Sequence, residues 1–226
     1  MKVEIYSDIA CPWCYIGEKR FSTALAGHSG DPVDVVFRPY QLDPSAPAAP
    51  RPLIEALRGK FGPNVQQMLG RVTDAAREEG IAMDWDRAVA ANTLTAHRLL
   101  QLALRDYGPG VQRALAERLF DAHFTGGGDV GDVALLTELA VAAGMDRGRT
   151  RDYLASDDGL TETRAAIDQA RALGIRAVPT FVFDEKYSVE GGQPSSVFAE
   201  VLREVTRLAA SEPTSAVDDA GRAVSQ

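Results

Sequence analysis

The chain has 226 residues, 45% of them hydrophobic, and a formal net charge of −8 at pH 7. A chain of this size and composition can bury a large hydrophobic core. Its acidic balance is a poor match for nucleic acid, because that binding rests on basic side chains that neutralise phosphates. No segment has the length and apolar character of a membrane span, and the first residues lack a signal-peptide pattern. The sequence therefore predicts a cytoplasmic protein with no nucleic-acid partner and no membrane partner.

The first elements predicted along the chain are a strand, a helix and a second strand. Residues 2–6 alternate polar and apolar side chains, which is typical of a strand. A helix is expected to begin at the cysteines that follow, since Pro12 suits a first helical turn, where its missing N–H would have no partner. A second strand is predicted at residues 33–38. This β-α-β order predicts that the two strands are parallel.

A helical block is predicted in the middle of the chain. Five prolines between Pro39 and Pro52 first indicate an extended connector without regular structure. Beyond it, apolar residues recur at helical spacing to about residue 156. Asp132 is expected to be a helix N-cap, and Gly144 to follow the C-terminal end of the same helix. The predicted helices cover residues 53–61, 64–79, 87–106, 111–124, 132–143 and 149–155.

The last predicted elements are a helix, a hairpin and a final helix. The first helix covers residues 160–173, and β-rich segments follow at 178–183 and 187–190. Because only a short turn separates these two segments, they predict an antiparallel hairpin. Residues 194–208 carry one apolar stripe and predict the final helix. The tail, residues 211–226, has few large apolar side chains and is expected to be disordered.

The two cysteines of the chain, Cys11 and Cys14, stand two residues apart at the start of the first predicted helix. A helix N-terminus has unpaired N–H groups and the positive end of the dipole, which favour the thiolate of Cys11. A zinc site is disfavoured because it needs four ligands, and His28, His97 and His123 lack paired ligand spacing. A purely structural disulfide is disfavoured because so small a loop restrains little chain entropy. The pair therefore predicts thiol redox chemistry without a metal.

The order of the elements resembles the α/β thioredoxin fold with a large helical insertion, as found in the DsbA branch of that superfamily. Four segments are similar to the FrnE-like, DsbA-family dithiol-disulfide oxidoreductases and isomerases, namely residues 7–17 with the Cys-Pro-Trp-Cys pair, 92–99, 178–183 and 191–193. The resemblance covers about residues 2–208. It implies a thioredoxin-fold domain made of residues 1–48 and 157–210, and a helical insertion domain of residues 49–156.

The resemblance also implies roles for the residues of the cysteine segment and of the segment at 178–183. Cys11 is expected to attack the substrate and Cys14 to resolve the mixed disulfide. Pro179 resembles the cis-proline that faces the cysteine pair in this superfamily, and the backbone of Val178 is expected to pair with substrate. Pro12 and Trp13, between the cysteines, are also expected to contact substrate.

Two residues of the helical block match the same family. Asn92 and His97 either line the cleft above Cys11 and bind substrate, or belong to satisfied polar pairs in the core or between helices. Both alternatives remain open at this point.

Departures from the family refine the expected activity. Trp13 stands where strongly oxidising DsbA proteins have a histidine, and an indole places no positive charge beside Cys11, which argues against a very oxidising potential. The related kappa-class glutathione transferases and hydroxychromene-carboxylate isomerases have a single serine at the nucleophile position, whereas this chain has Cys11 and Cys14.

The sequence therefore predicts a cytoplasmic thiol-disulfide oxidoreductase or isomerase that acts on thiol or disulfide groups of a protein or a small molecule. No cofactor is expected, glutathione remains open as a co-substrate, and the protein is expected to be a monomer or a homodimer. Two alternatives remain. One is a glutathione-dependent isomerase or transferase acting on an aromatic or polyketide-like small molecule, and the other is a non-catalytic peptide-binding module.

Overall fold

The computed structural model describes residues 1–211, in which helices surround a four-stranded sheet. The tail that the sequence predicts to be disordered lies outside the described residues from position 212 onward, and Ser211 itself ends the last helix. In chain order the elements are β1 (Lys2–Ser7), α1 (Pro12–Ala26), β2 (Asp34–Pro39), β3 (Arg51–Pro52), α2 (Leu53–Phe61), α3 (Val65–Glu78), β4 (Val89–Ala90), α4 (Leu94–Tyr107), α5 (Pro109–Phe124), α6 (Val133–Ala142), α7 (Arg147–Leu154), α8 (Leu160–Ala172), β5 (Thr180–Phe183), β6 (Tyr187–Glu190) and α9 (Ser195–Ser211).

The central sheet has the strand order β2-β1-β5-β6. β1 and β2 are parallel, and β5 and β6 form an antiparallel hairpin, so both pairings predicted from the sequence are confirmed. Alternate residues of β1 point to opposite faces. Val3 and Ile5 join the main hydrophobic core, whereas Tyr6 packs with Ala170 of α8. This is the DsbA-like thioredoxin fold with a helical insertion, as the sequence predicts.

The helical insertion covers the outer edge of β2. The side chain of Gln112, on α5, is fully buried beside this edge. Its Oε1 accepts the N–H of Phe37 at 2.9 Å, and its Nε2 donates to the carbonyl oxygens of Phe37 at 2.9 Å and Leu100 at 3.2 Å. The amide therefore pairs with Phe37 as a neighbouring strand would, and it leaves fewer edge groups exposed.

The domain boundaries at residues 48/49 and 156/157 stay predictions.

Two predictions about the middle of the chain are wrong in part. The helix predicted at 87–106 begins at Leu94, because Val89–Ala90 instead forms β4 and pairs antiparallel with Arg51–Pro52. The N–H of Leu53 also donates to the carbonyl oxygen of Ala88 at 2.9 Å. Because of this pairing, the last two residues of the proline-rich connector form a short strand, whereas the sequence predicts no regular structure in the connector.

The ends of the helices follow their sequence signals more closely. The side chain of Asp132 accepts the N–H of Leu135 at 2.7 Å, so the predicted N-cap of α6 is confirmed. Gly144 has φ of +101° just past the same helix, where glycine has no Cβ to oppose a left-handed backbone. Within residues 1–211, none of the helices combines the length and the apolar character needed to span a bilayer.

Candidate active site

The two cysteines lie at the first turn of α1. Cys11 is the N-cap residue, with an extended backbone at φ −97° and ψ 111°, and its N–H donates to the carbonyl oxygen of Asp8 at 3.0 Å. Pro12 occupies the first helical position, as predicted. Both thiols are free, and both residues are buried, with 5% of Cys11 and 2% of Cys14 exposed. The start of the helix thus places Cys11 at its open end and Cys14 one turn further in.

The environment of Cys14 opposes its ionisation. Burial raises the pKa of the Cys14 thiol well above its usual range, and the hydrogen bond and the charge of Cys11 raise it further. The Ser7 side chain and the Asp8 backbone lower the pKa again but offset only part of this effect. Cys14 is therefore held as a neutral thiol in the reduced protein.

The segment before β5 faces Cys11. The Val178–Pro179 peptide bond is cis, as the resemblance implies, and Pro179 is buried. The Cys11 thiol donates a hydrogen bond to the carbonyl oxygen of Val178, with a distance of 3.6 Å between sulfur and oxygen. The structure therefore brings Cys11, Val178 and Pro179 together, as the sequence predicts, and their roles toward substrate stay predictions.

Two glycines allow α1 to approach this segment. A Cβ atom on Gly17 would lie 3.0 Å from Cγ of Pro179 and 3.1 Å from Cα of Gly192. A Cβ atom on Gly192 would lie 3.1 Å from the carbonyl oxygen of Trp13. All three distances are shorter than ordinary contacts, so a larger residue at either position would push the Pro179 segment away from the helix. A glycine inside a predicted helix is the sequence signal that could have identified Gly17.

Arg20, on α1, also holds the Gly192 turn against the helix. Its Nη1 donates to the carbonyl oxygen of Gly192 at 2.8 Å, and its Nε donates to Oε1 of Glu79 at 2.6 Å. The side chain is 12% exposed. Arg20 thus joins α1 to the Gly192 turn and to the end of α3, and no local motif in the sequence marks this role.

Asp8 and His97 form a buried pair immediately before the cysteines. Nε2 of His97 lies 3.3 Å from Oδ1 of Asp8, and each side chain is 2% exposed. Burial alone would raise the pKa of Asp8, but the hydrogen bond and charge of His97, together with hydrogen bonds from Leu42 and Thr93, hold that pKa below its usual value. Oδ2 of Asp8 also accepts the N–H of Leu42 at 2.8 Å. These contacts correspond to the polar-pair alternative for His97, and the sequence reasoning did not single out Asp8.

Asn92 ties the proline-rich connector to the start of α4. Its Oδ1 accepts the N–H of Leu94 at 3.0 Å and a hydrogen bond from Nε2 of Gln41 at 3.1 Å. Its Nδ2 donates to the carbonyl oxygen of Ala46 at 2.9 Å. The amide is therefore occupied by the protein itself, and a contact of Asn92 or His97 with substrate stays a prediction.

The surface beside the cysteines is partly apolar. Trp13 is 38% exposed, and Leu42, whose N–H is held by Asp8, is 47% exposed. Pro12 and Val178 are half-buried. These side chains are available to an apolar part of a substrate, and their predicted contacts with substrate remain untested.

No group of three or more His, Cys, Asp or Glu side chains within residues 1–211 is arranged to hold a metal ion. The expectation that the protein needs no metal stays a prediction.

Comparison with known proteins shows the family. The family model of the DSBA-like thioredoxin domain matches residues 2–203. A probable DsbA oxidoreductase from Streptomyces coelicolor is 35% identical, with all of both chains covered and a TM-score of 0.83.

Two more distant solved structures share the fold. One is 2-hydroxychromene-2-carboxylate isomerase, which is 15% identical, with 93% of this chain and 98% of that chain covered and a TM-score of 0.68. The other is the cytosolic disulfide reductase DsbM from Pseudomonas aeruginosa with GSH, which is 18% identical, with 92% and 100% covered and a TM-score of 0.64. The finer assignment to the FrnE-like branch stays a prediction. The chain belongs to the DSBA-like thioredoxin domain family.

Proposed function

We propose that the protein is a thiol-disulfide oxidoreductase or isomerase that acts through a mixed disulfide between Cys11 and its substrate. The observation that carries this proposal is the asymmetry of the two cysteines. Cys11 caps the start of α1 opposite Val178 and Pro179, whereas Cys14 lies one turn inside, with burial raising its pKa. A nucleophile at the open end of the helix and a protected thiol behind it suit a two-step exchange.

In the first step, the thiolate of Cys11 attacks one sulfur of the substrate disulfide. That disulfide bond breaks, the other substrate sulfur leaves as a thiolate, and Cys11 becomes bonded to the substrate. In the second step, Cys14 loses its proton and its sulfur attacks Cys11. The mixed disulfide breaks, the substrate is released reduced, and the Cys11–Cys14 pair is oxidised. The reverse sequence oxidises a dithiol substrate.

Substrate is proposed to lie across the partly apolar surface beside the cysteines. Pro12 and Trp13 would contact it from α1, and the backbone of Val178 would pair with it from the opposite side. In this account Asn92 and His97 support the site from behind, because the Asn92 amide is bonded to the connector and Nε2 of His97 lies against Asp8.

The protein is further proposed to work in the cytoplasm, with glutathione as a candidate co-substrate that resets the cysteine pair. A cytosolic disulfide reductase whose structure contains GSH shares this fold, and this likeness is the support for both points. The likeness to 2-hydroxychromene-2-carboxylate isomerase supports the alternative function, a glutathione-dependent isomerase. The presence of both Cys11 and Cys14 favours redox exchange over glutathione-assisted isomerisation.

Reduction of insulin by dithiothreitol tests the proposal. The wild-type protein is expected to accelerate the precipitation of insulin chains, and Cys11→Ser is expected to abolish the acceleration. Gly70→Ala, on the exposed surface of α3, is a matched control that should retain full activity. A wild-type protein that gives no acceleration, or a Cys11→Ser variant that retains it, would overturn the proposal. Tight binding of glutathione or peptide without turnover would then support an alternative function.

A further inference from the structure

Leu42 is an exposed apolar residue on a backbone that the protein holds in place. It lies in the proline-rich connector after β2, and 47% of the residue is exposed. Its N–H donates to Oδ2 of Asp8 at 2.8 Å, and Asp8 itself is only 1% exposed. A leucine in a freely moving loop could turn inward, because burial of its side chain is favourable. The buried carboxylate instead fixes the backbone of Leu42 with much of the residue in solvent.

The polar residues on both sides of Leu42 are bonded within the protein. Nε2 of Gln41 donates to Oδ1 of Asn92 at 3.1 Å, and Gln41 is 6% exposed. Oδ2 of Asp43 lies 3.7 Å from Nζ of Lys60, at the end of α2. These neighbours fix the connector before and after Leu42. They also leave the apolar side chain as the group that this part of the connector offers to a ligand.

Asp8 also connects Leu42 with the attacking cysteine. Its backbone carbonyl oxygen accepts the N–H of Cys11 at 3.0 Å, while its carboxylate accepts the N–H of Leu42. A second hydrogen bond lies nearby, because the N–H of Tyr40 donates to the carbonyl oxygen of Ser7 at 3.1 Å. The connector therefore leaves β2 alongside the end of β1, which leads into the cysteines. Leu42 thus lies beside the place where a substrate disulfide meets Cys11.

We propose that Leu42 is a specificity-determining residue that selects polypeptide substrates with an apolar side chain next to the reactive cysteine. This inference rests on the proposed function and names the substrate class of the same site. An apolar side chain that packs on Leu42 removes apolar surface of both partners from water as the disulfide approaches Cys11. Because the backbone of Leu42 is already fixed, this contact loses little conformational entropy. The chemistry is that of the two-step exchange, in which the peptide disulfide is reduced to two thiols and the Cys11–Cys14 pair is oxidised.

Two disulfide-linked peptide dimers test the proposal with the reduced wild-type protein. The cysteine lies between two leucines in one peptide and between two serines in the other, so either direction of binding presents the same neighbour. Oxidation of the protein is followed by acid quenching, alkylation and mass spectrometry. Each rate is divided by the rate at which dithiothreitol reduces the same peptide, which removes differences in intrinsic reactivity. The leucine peptide should react at least about fivefold faster, because even one methylene group in a pocket discriminates about tenfold or more.

The ratio of the two corrected rates is the measurement for each variant. Leu42→Ser should bring this ratio within about twofold of one, whereas Leu42→Met, which keeps an apolar side chain, should preserve it. Leu173→Ser is the matched control, because Leu173 is 62% exposed just past the end of α8, and it should retain the wild-type ratio. A variant that is merely damaged would slow the reaction with both peptides and leave the ratio unchanged.

A wild-type ratio near one would overturn the proposal, and so would a Leu42→Ser variant that keeps the wild-type ratio. A Leu42→Met variant that loses the ratio would overturn it as well. If Leu173→Ser also loses the ratio, exposed leucines in general and not Leu42 select the peptide. Failure of the proposed function would look different, since neither peptide would then oxidise the wild-type protein through Cys11.

Discussion

Replacing Gly17 by alanine would place a methyl group where α1 meets the segment that carries Pro179. The new Cβ would lie 3.0 Å from the Pro179 ring and 3.1 Å from the backbone of Gly192. Neither neighbour can rotate away, because one is a proline ring and the other is main chain. The carbonyl oxygen of Gly192 also accepts a hydrogen bond from Nη1 of Arg20 at 2.8 Å, which fixes this turn. The Pro179 segment must therefore move away from the helix.

A second glycine within a helix gives the matched comparison. Gly70, on α3, is exposed, and a Cβ there would have no heavy atom of another residue within 4 Å. Alanine gains about 1 kcal/mol over glycine inside a helix, so this gain cancels between the two variants. Overpacking of a tight contact costs about 1–3 kcal/mol, which is the expected difference in free energy of unfolding between Gly17→Ala and Gly70→Ala.

Urea unfolding of both variants at pH 7 measures this difference directly. Gly70→Ala should be more stable than wild type, whereas Gly17→Ala should be less stable than Gly70→Ala by the amount given above. Gly17→Ala should also reduce insulin more slowly, because the Cys11–Val178 contact at 3.6 Å lies beside the displaced segment. If the two variants have the same free energy of unfolding, the close packing of α1 against Pro179 is not the constraint argued here.

Three further predictions concern buried polar groups, and urea unfolding checks each. Burial lowers the pKa of His123 to about 4, so below pH 6.5 the unfolded chain binds this proton and the folded chain does not. The free energy of unfolding should fall by about 3 kcal/mol between pH 7 and pH 4 because of this residue, and His123→Leu should remove that part of the pH dependence. Burial raises the pKa of Glu18, whose Oε2 has no partner, so the folded state loses stability as the pH rises through that pKa. Glu18→Gln should therefore stabilise the protein at pH 7 and less so at pH 4, and an equal effect at both would contradict the argument. Gln112→Leu should cost at least about 2 kcal/mol, because it leaves the N–H and carbonyl of Phe37 buried without partners.

The fold could be predicted because most of its signals are local. A short alternating strand, a proline at the first turn of a helix and a cysteine before it define β1 and α1 from a few neighbouring residues. The hairpin of β5 and β6 and the N-cap of α6 are equally local. The predicted start of α4 is wrong because β4 precedes the helix and pairs with β3, which lies far away in the sequence. Apolar periodicity carries no information about that partner.

The same distinction explains which parts of the site were found. Cys11 and Cys14 follow from spacing alone, and Pro179 followed from the family resemblance. The Asp8–His97 pair joins residues 89 positions apart, and the Arg20–Gly192 contact joins residues 172 positions apart. Such contacts depend on how the insertion and the β5–β6 region fold back on α1. No local signal in the sequence could therefore identify Asp8 as the partner of His97.

The most direct test of the central claim is to trap the mixed disulfide. Reduced Cys14→Ser protein is mixed with oxidised glutathione, and the adduct is located by mass spectrometry of its peptides. The account predicts that a glutathione adduct forms on Cys11 and accumulates, because the thiol that resolves it has been removed. Cys11→Ser should form an adduct on Cys14 far more slowly, since that thiol lies one turn inside the helix and its pKa is raised. An adduct that forms on Cys14 as fast as on Cys11, or no adduct on Cys11, would contradict the assignment of Cys11 as the nucleophile.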